Sequence, residues 1–338
     1  MIYKVQLKDQ INNFYSTDND VFSVVSEDGI QKKYLKEIVE GDVLVGSNSY
    51  NDFLNNPFEI DFKSKNFWHQ GKLTLELAEF LGYFISFDPK IGKNCIYINN
   101  PASIDVFYNL FNKTFPSIES SYRIYDKKLI IETDYSVIDF FYYLGLFFEN
   151  HGVPRCIKKS SNEYISAFLT GFLKNKQDLC CKNNIYYFQI KDLSFKLAKE
   201  IQLILDLLGV YSIAENNNEL YNLKITSNSN MQRLISCVSL ENLDKVKITN
   251  NNYCLKTGIK SEKLQALVLG KSNSDDVLYD ISDLENKINF DGSKNIHYFN
   301  FPLYAVDKIE LKEVTSNDII DYPCFFTFDE RAVIKQGE

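Results

Sequence analysis

The chain has 338 residues, enough for two or three domains with cores of their own. Hydrophobic residues at 45% and aromatic residues at 14% exclude a disordered chain, and a net charge of −8 weighs against nucleic-acid binding through overall charge. The seven cysteines (95, 156, 180, 181, 237, 254 and 324) are odd in number and include no CxxC pair. They suggest neither a disulfide framework nor a zinc site, and point to reduced thiols in an intracellular protein, cytoplasmic or, in a eukaryotic or viral host, nuclear. Met1 to Gln10 alternates polar and apolar residues, unlike a signal peptide, and no apolar run reaches the ~18 residues of a membrane span. No membrane partner is expected.

In chain order, residues 1–50 read as β. Ile2, Tyr3, Val5 and Leu7 alternate roughly with polar residues, Asp18-Asn19-Asp20 is a turn, and Val21 to Val25 and Ile30 to Tyr34 flank a Glu27-Asp28-Gly29 hairpin turn. A helical turn from Leu35 leads through Gly41-Asp42 to the strand Val43 to Val45. Residues 51–72 read as a polar connector and a domain boundary. From Leu73 to about Leu240 helices alternate with aromatic strands. The first half reads helix 73–87, strand 95–99, helix 102–115, hairpin 122–133 and helix 136–148. The second reads helix 162–174, strand 185–190, helix 193–208, a hairpin over 210–226 and a helix from about 228 to 238. This α-β-α-ββ-α order, occurring twice, is the strongest pattern in the chain. Residues 241–295 are polar and mixed, with a short helix near 262–269. After them Tyr298 to Tyr304, Ala305 to Leu311, Cys324 to Phe328 and Ala332 to Ile334 read as strands. With β at both ends and α/β between, the ends are expected to pair and the middle to be an insertion.

Two helices carry a glycine near the middle of an apolar run: Gly82 in LELAEFLGYFISFDP and Gly171 in EYISAFLTGFLKNKQ. Glycine inside a helix costs roughly 1 kcal/mol against alanine, so a compensating role is expected. Close approach of the two helix backbones at a pseudo-two-fold axis would supply it.

These residues resemble an intein carrying a LAGLIDADG homing endonuclease. LAEFLGYFIS is similar to the first signature helix. VPRCIKKSSNEYISAFLTGFLKNK is similar to the second, with Val153-Pro154 as its lead-in. The two ends resemble the Hint splicing fold. The resemblance implies an α+β protein in three parts. Residues 1–60 and 290–338 would form a Hint-like all-β domain whose N-terminal block is missing. Residues 73–240 would form the endonuclease-like repeat, and 241–289 a linker or subdomain.

In that family each signature helix ends in an acid, and the two acids hold Mg²⁺ between the scissile phosphates. Here the first position falls on Phe87, with Asp88 one residue late, and the second falls on Lys176, with Asp178 beyond it. A protonated lysine cannot ligate a cation and repels it. Asp88 and Asp178 are the remaining candidate metal ligands, and Mg²⁺ is implied only if they work from shifted positions. The splicing residues are altered as well. The Thr-x-x-His histidine is replaced by Asp20, and the terminal His-Asn by Lys335-Gln336.

In the family a β surface reads the DNA major groove. The matching strands place Tyr97, Tyr122, Tyr125, Tyr186 and Gln189 at alternate positions, with Arg123, Lys127, Lys128, Lys182, Lys191 and Lys224 nearby. A packing or protein-binding surface is an equally open role for these strands. His69, His151 and His297 are expected in ordinary surface or capping roles, Arg155, Lys158 and Lys159 in a solvated loop, and Cys180-Cys181 in the core. Three functions stand at this point: a degenerate homing endonuclease lacking both cleavage and self-splicing, an active Mg²⁺-dependent nuclease using shifted carboxylates, and a binding subunit for double-stranded DNA or a protein.

Overall fold

A computed structural model describes residues 2–8, 10–11, 13–26, 29–45, 58–65, 67–99, 104–116, 118, 120–125, 128–146, 151–182, 185–225, 228–239 and 303–311. The N-terminal strands are β1 (Ile2–Leu7), β2 (Asn13–Thr17), β3 (Val21–Ser26), β4 (Gly29–Tyr34) and β5 (Val43–Val45), with a 3-10 turn over Leu35–Glu37 before β5. A hairpin follows, β6 (Glu59–Lys63) and β7 (Trp68–Lys72). The first half-repeat is α1 (Leu75–Ser86), β8 (Lys90–Ile91), β9 (Cys95–Asn99), α2 (Ile104–Thr114), β10 (Ser120–Tyr125), β11 (Lys128–Thr133) and α3 (Tyr135–Tyr143). After a single turn, α4 (Arg155–Lys158), the second is α5 (Asn162–Lys176), β12 (Gln177–Lys182), β13 (Ile185–Leu193), α6 (Phe195–Leu207), β14 (Ile213–Asn217), β15 (Leu220–Ile225) and α7 (Asn228–Cys237). The last described strand is β16 (Leu303–Leu311).

The chain ends pair, as the β-α/β-β pattern predicts. β16 lies between β1 and β5 in a six-stranded sheet of order β2-β1-β16-β5-β3-β4. Tyr3 faces Leu311, and Leu303 faces Val45. The Gly41-Asp42 turn pins the junction. Gly41, at φ +89°, turns the chain so that its amide donates to the Val306 carbonyl (2.9 Å), and the Val306 amide donates back to Asp42 (2.8 Å). The fully buried Asp42 carboxylate accepts from the Val39 amide (3.1 Å) and pairs with Lys33 (3.0 Å). Val5, Leu7, Phe14, Phe22, Val24 and Leu44 form this domain's core.

Several expectations are corrected. Residues 13–17 form β2, which the polar Asn13, Ser16 and Thr17 hide in the sequence. Residues 59–72 are a hairpin, not a connector. Ile60 and Leu73 are buried in the central core, and Phe62 packs on Phe140 (5.3 Å between ring centroids), so this hairpin packs with the half-repeats. β16 runs unbroken from Leu303 to Leu311, through the break expected at Ala305, while residues 298–302 lie outside the described residues. Each half-repeat is α-ββ-α-ββ-α, with one more strand than the sequence pattern shows. β8 is two residues long, and β12 starts at the residue after α5 ends, so neither carries a periodic signal or a turn signal of its own. The expected strands at Cys324 to Phe328 and Ala332 to Ile334, the short helix near 262–269 and the 241–289 segment lie outside the described residues.

The two sheets match in order, β10-β11-β9-β8 and β14-β15-β13-β12, which is the repeat expressed in space. α1 and α5, which open the two half-repeats, pack against each other. Thr74, Asp134 and Ser194 cap α1, α3 and α6 through side-chain oxygens that accept amides of the first turn, at 3.1, 2.7 and 3.3 Å. Phe80, Phe84, Phe107 and Phe141 are fully buried around α1, and each such burial stabilises by roughly 1.5–3 kcal/mol. The terminal sheet is tied to the second half-repeat by buried hydrogen bonds. Gln10 Nε2 and Gln202 Nε2 both donate to the Ser212 carbonyl (3.0 and 3.1 Å), and the Ile11 amide donates to Gln202 Oε1 (2.8 Å). Among the described residues, no helix is long and apolar enough to cross a membrane.

Candidate nucleic-acid interface and helix seam

The seam is built as the glycines require. A Cβ added to Gly82 would lie 2.8 Å from the Phe168 carbonyl carbon and 2.9 Å from the Phe172 amide nitrogen. A Cβ on Gly171 would meet Glu79 and Tyr83 at the same two distances. A shift of 89 positions, from 82 to 171, also carries Glu79 to Phe168 and Tyr83 to Phe172. The contact therefore obeys a pseudo-two-fold axis residue by residue.

The same shift pairs the helix ends: Ser86 with Asn175, Phe87 with Lys176, and Asp88 with Gln177. Asn175 Nδ2 crosses the seam and donates to the Ser86 carbonyl (3.1 Å), while Ser86 Oγ donates to the Tyr83 carbonyl (2.6 Å). Lys174 is paired with Glu79 on the facing helix. Phe87 caps α1 and is buried, edge-on to Tyr83 (5.0 Å) and Phe107 (5.6 Å). Asp88 follows in the left-handed conformation, φ +49°, with its amide on the Ile85 carbonyl (2.9 Å) and its side chain exposed. Asp178 is on β12 and pairs with Lys191 (2.6 Å).

This arrangement does not fit a divalent cation. The two symmetry-related helix-end positions, 87 and 176, hold an apolar ring packed into the core and a lysine. Of the nearby carboxylates, Asp88 is turned out to solvent at the helix end, and Asp178 is held by a cation. No group of three potential ligand side chains converges among the described residues. The cross-seam Asn175–Ser86 bond was not read from the sequence. Its signal was the 89-residue shift applied one position before the acid site.

Asp20 sits in the β2–β3 turn, where Oδ2 accepts from Ser16 Oγ (2.6 Å) and the Thr17 amide (2.7 Å). Its carboxylate is engaged in closing that turn. Lys335 and Gln336 lie outside the described residues.

Strand alternation sorts the proposed DNA-contacting residues. Ile96, Ile98, Leu129 and Ile131 turn inward on the first sheet, and Phe188, Ile190, Leu223 and Ile225 on the second. The opposite, open faces hold Tyr97, Arg123, Tyr125 and Lys128 on the first sheet, and Tyr187, Gln189, Lys191 and Lys224 on the second. Tyr122 has the other parity and lies tilted against Tyr108 of α2 (4.5 Å between ring centroids), so it leaves the expected surface. Gln189 has the right parity but is nearly covered, and its Oε1 accepts from Cys180 Sγ (3.6 Å). Cys180 is thus on the open face and not in the core. Lys127 and the side chains of Lys182, Cys181 and Tyr186 lie outside the described residues.

Three open-face cations are paired. Arg123 meets Glu132 (3.2 Å), Lys191 meets Asp178 (2.6 Å), and Lys224 meets Glu215 (2.6 Å) while lying over the Tyr187 ring (5.6 Å).

His151 is buried, against the expected surface or capping role, and His69 is half-buried. His151 is 2% exposed, its Nε2 donates to the Pro89 carbonyl beside the α1 end, and its Nδ1 has no partner among the described residues. Burial pushes its pKa down, Asp88 opposes that shift and Lys196 adds to it. His69 is likewise pushed down by burial, against Phe140 (5.5 Å). His297 lies outside the described residues. Lys158 belongs to α4 and pairs with Glu200 (2.8 Å), which also accepts from the Val153 amide (2.5 Å), so it is part of the link between the half-repeats and not of a solvated loop.

No family model and no curated protein matches this sequence. Among solved structures the chain is similar to I-DmoI in complex with DNA and Ca, at 13% identity and a TM-score of 0.35, over 50% of this chain and 95% of that one. It is similar to the N-terminal LAGLIDADG domain of WhiA at 13% identity and a TM-score of 0.33, over 50% of this chain and 85% of that domain. Full-length WhiA from Thermatoga maritima matches at 12% identity and a TM-score of 0.33, over 64% of this chain and 66% of that one. Of these neighbours the WhiA N-terminal domain is named a LAGLIDADG domain, and I-DmoI is named a homing endonuclease.

Proposed function

We propose that this protein is a scaffold of homing-endonuclease type that binds double-stranded DNA without cutting it. The observation that carries the non-cleaving part is the closed seam. Phe87 is buried where one metal-holding acid would stand, Lys176 occupies the other position, and Asn175 bridges the helices beside them. DNA binding is supported by the two open antiparallel faces, whose Tyr97, Tyr125, Arg123, Lys128, Lys191 and Lys224 suit a β surface laid against a duplex groove. Splicing is not part of this function, since Asp20 is engaged in its own turn.

A second function, binding a protein partner through the same faces, is favoured by the net charge of −8 and by the pairing of three open-face cations with carboxylates.

The test is selection of the purified full chain against a random-sequence duplex library, with Mg²⁺ or Mn²⁺ present and with sequencing of both retained and broken molecules. Retained duplexes with a salt-sensitive affinity and no breaks are expected. Site-specific breaks would overturn the non-cleaving part. Absence of any retained duplex at low salt would leave the protein-binding function.

A further inference from the structure

The three ion pairs on the open faces share one geometry. In the first sheet Arg123 faces Ile130, so Glu132 is its diagonal neighbour on the next strand. In the second sheet Asp178 faces Gln189, so Lys191 is diagonal to it, and Ile213 faces Lys224, so Glu215 is diagonal to that lysine. Residues two apart on a strand share a face, so all six side chains stand on the open surfaces. All six are solvent-accessible, with side-chain exposures from 21% for Lys224 to 66% for Arg123. Exposed pairs of this kind stabilise a fold by little. Their main effect is on the surface potential, which they flatten where a polyanion would approach.

We infer that Glu132, Asp178 and Glu215 act as built-in phosphate substitutes, which hold Arg123, Lys191 and Lys224 in place and are displaced from them when a nucleic-acid backbone binds. This rests on the duplex-binding function proposed above and adds its regulation. Each bound phosphate must compete with a resident carboxylate and also approach that carboxylate's charge. Loose binding to arbitrary DNA is thereby suppressed more than binding to a site that supplies further base contacts.

The test uses the full chain and the triple variant E132Q/D178N/E215Q, with a reversed control R123Q/K191Q/K224Q. Far-ultraviolet circular dichroism checks that each is folded. Binding to a fixed 30-base-pair duplex is measured by fluorescence anisotropy from about 50 to 200 mM salt. The acid-neutralised variant is expected to bind at least about tenfold tighter at the higher salt, with a log–log salt slope steeper by about 2 to 3 as three cations become available to phosphates. The reversed control should bind more weakly than wild type. If wild type binds and the acid-neutralised variant binds equally or less tightly, this inference fails while duplex binding stands. If neither binds at the lowest salt, both fall together. Binding by the variant alone supports the inference in its strongest form.

Discussion

Gly82 and Gly171 hold the same place on opposite sides of the α1–α5 seam, each set against the backbone of the facing helix. Neither has room for a methyl group, and the obstruction is backbone, which cannot swing aside like a side chain. Gly82→Ala and Gly171→Ala are each expected to destabilise the protein by about 3 kcal/mol, the upper end of ordinary overpacking. The double variant should cost less than the sum, because one methyl already separates the helices. Urea denaturation of the three variants measures both effects, and full additivity would show that the two glycines do not share one contact.

Phe87 is a packed ring at the position where the proposed homing-endonuclease resemblance expects a metal-holding acid. Phe87→Ala should cost about 3 kcal/mol through the cavity left against Tyr83 and Phe107. Phe87→Asp should cost at least as much, because a carboxylate there is desolvated without a built partner, and it should not create Mg²⁺-dependent cleavage while Lys176 remains. Denaturation midpoints and a plasmid-nicking assay check the two halves of this prediction. A stable, cutting Phe87→Asp protein would show that the seam is open to metal.

His151 and His69 predict an acid-sensitive fold. Burial lowers both pKa values below the ordinary 6.5, so below that pH the unfolded chain binds more protons than the folded one. Stability is therefore full above pH ~6.5, falls as pH drops from there to the folded-state values, and is level with respect to these groups below them. His151→Gln should flatten part of the decline between pH 7.5 and 5.5, as read from urea midpoints. An unchanged slope would show that His151 charges without cost in the folded state.

Lys33 and Asp42 hold the turn that receives the returning strand β16. Lys33→Met removes the cation from a fully buried carboxylate and should cost about 3 kcal/mol, in the range for breaking one side of a buried pair. Amide hydrogen exchange should accelerate first at Val306, whose amide bonds to Asp42. If exchange there is unchanged, the pair does not control the closure of the chain ends.

Some of this was legible in the sequence because it is local or repeats. A glycine within a run of large apolar residues announces a close helix contact wherever the partner lies. The 89-residue spacing named that partner, and the family resemblance marked Phe87 and Lys176 as the helix-end positions where acids are expected. The positions of most helices come from patterns a few residues long. So does the expectation that β ends enclosing an α/β middle would pair.

The rest depends on register between distant strands, which no local pattern encodes. Tertiary structure alone decided that β16 enters between β1 and β5, and that β8 and β12 are strands at all, since a two-residue strand and one that begins at a helix end exist only through their partners. It also decided that Tyr122 turns back onto Tyr108. Above all, it set the diagonal pairs that place Glu132, Asp178 and Glu215 beside their cations. In the sequence those carboxylates are three acids among many. In the sheets they determine how much of the positive charge on the open faces a ligand can use.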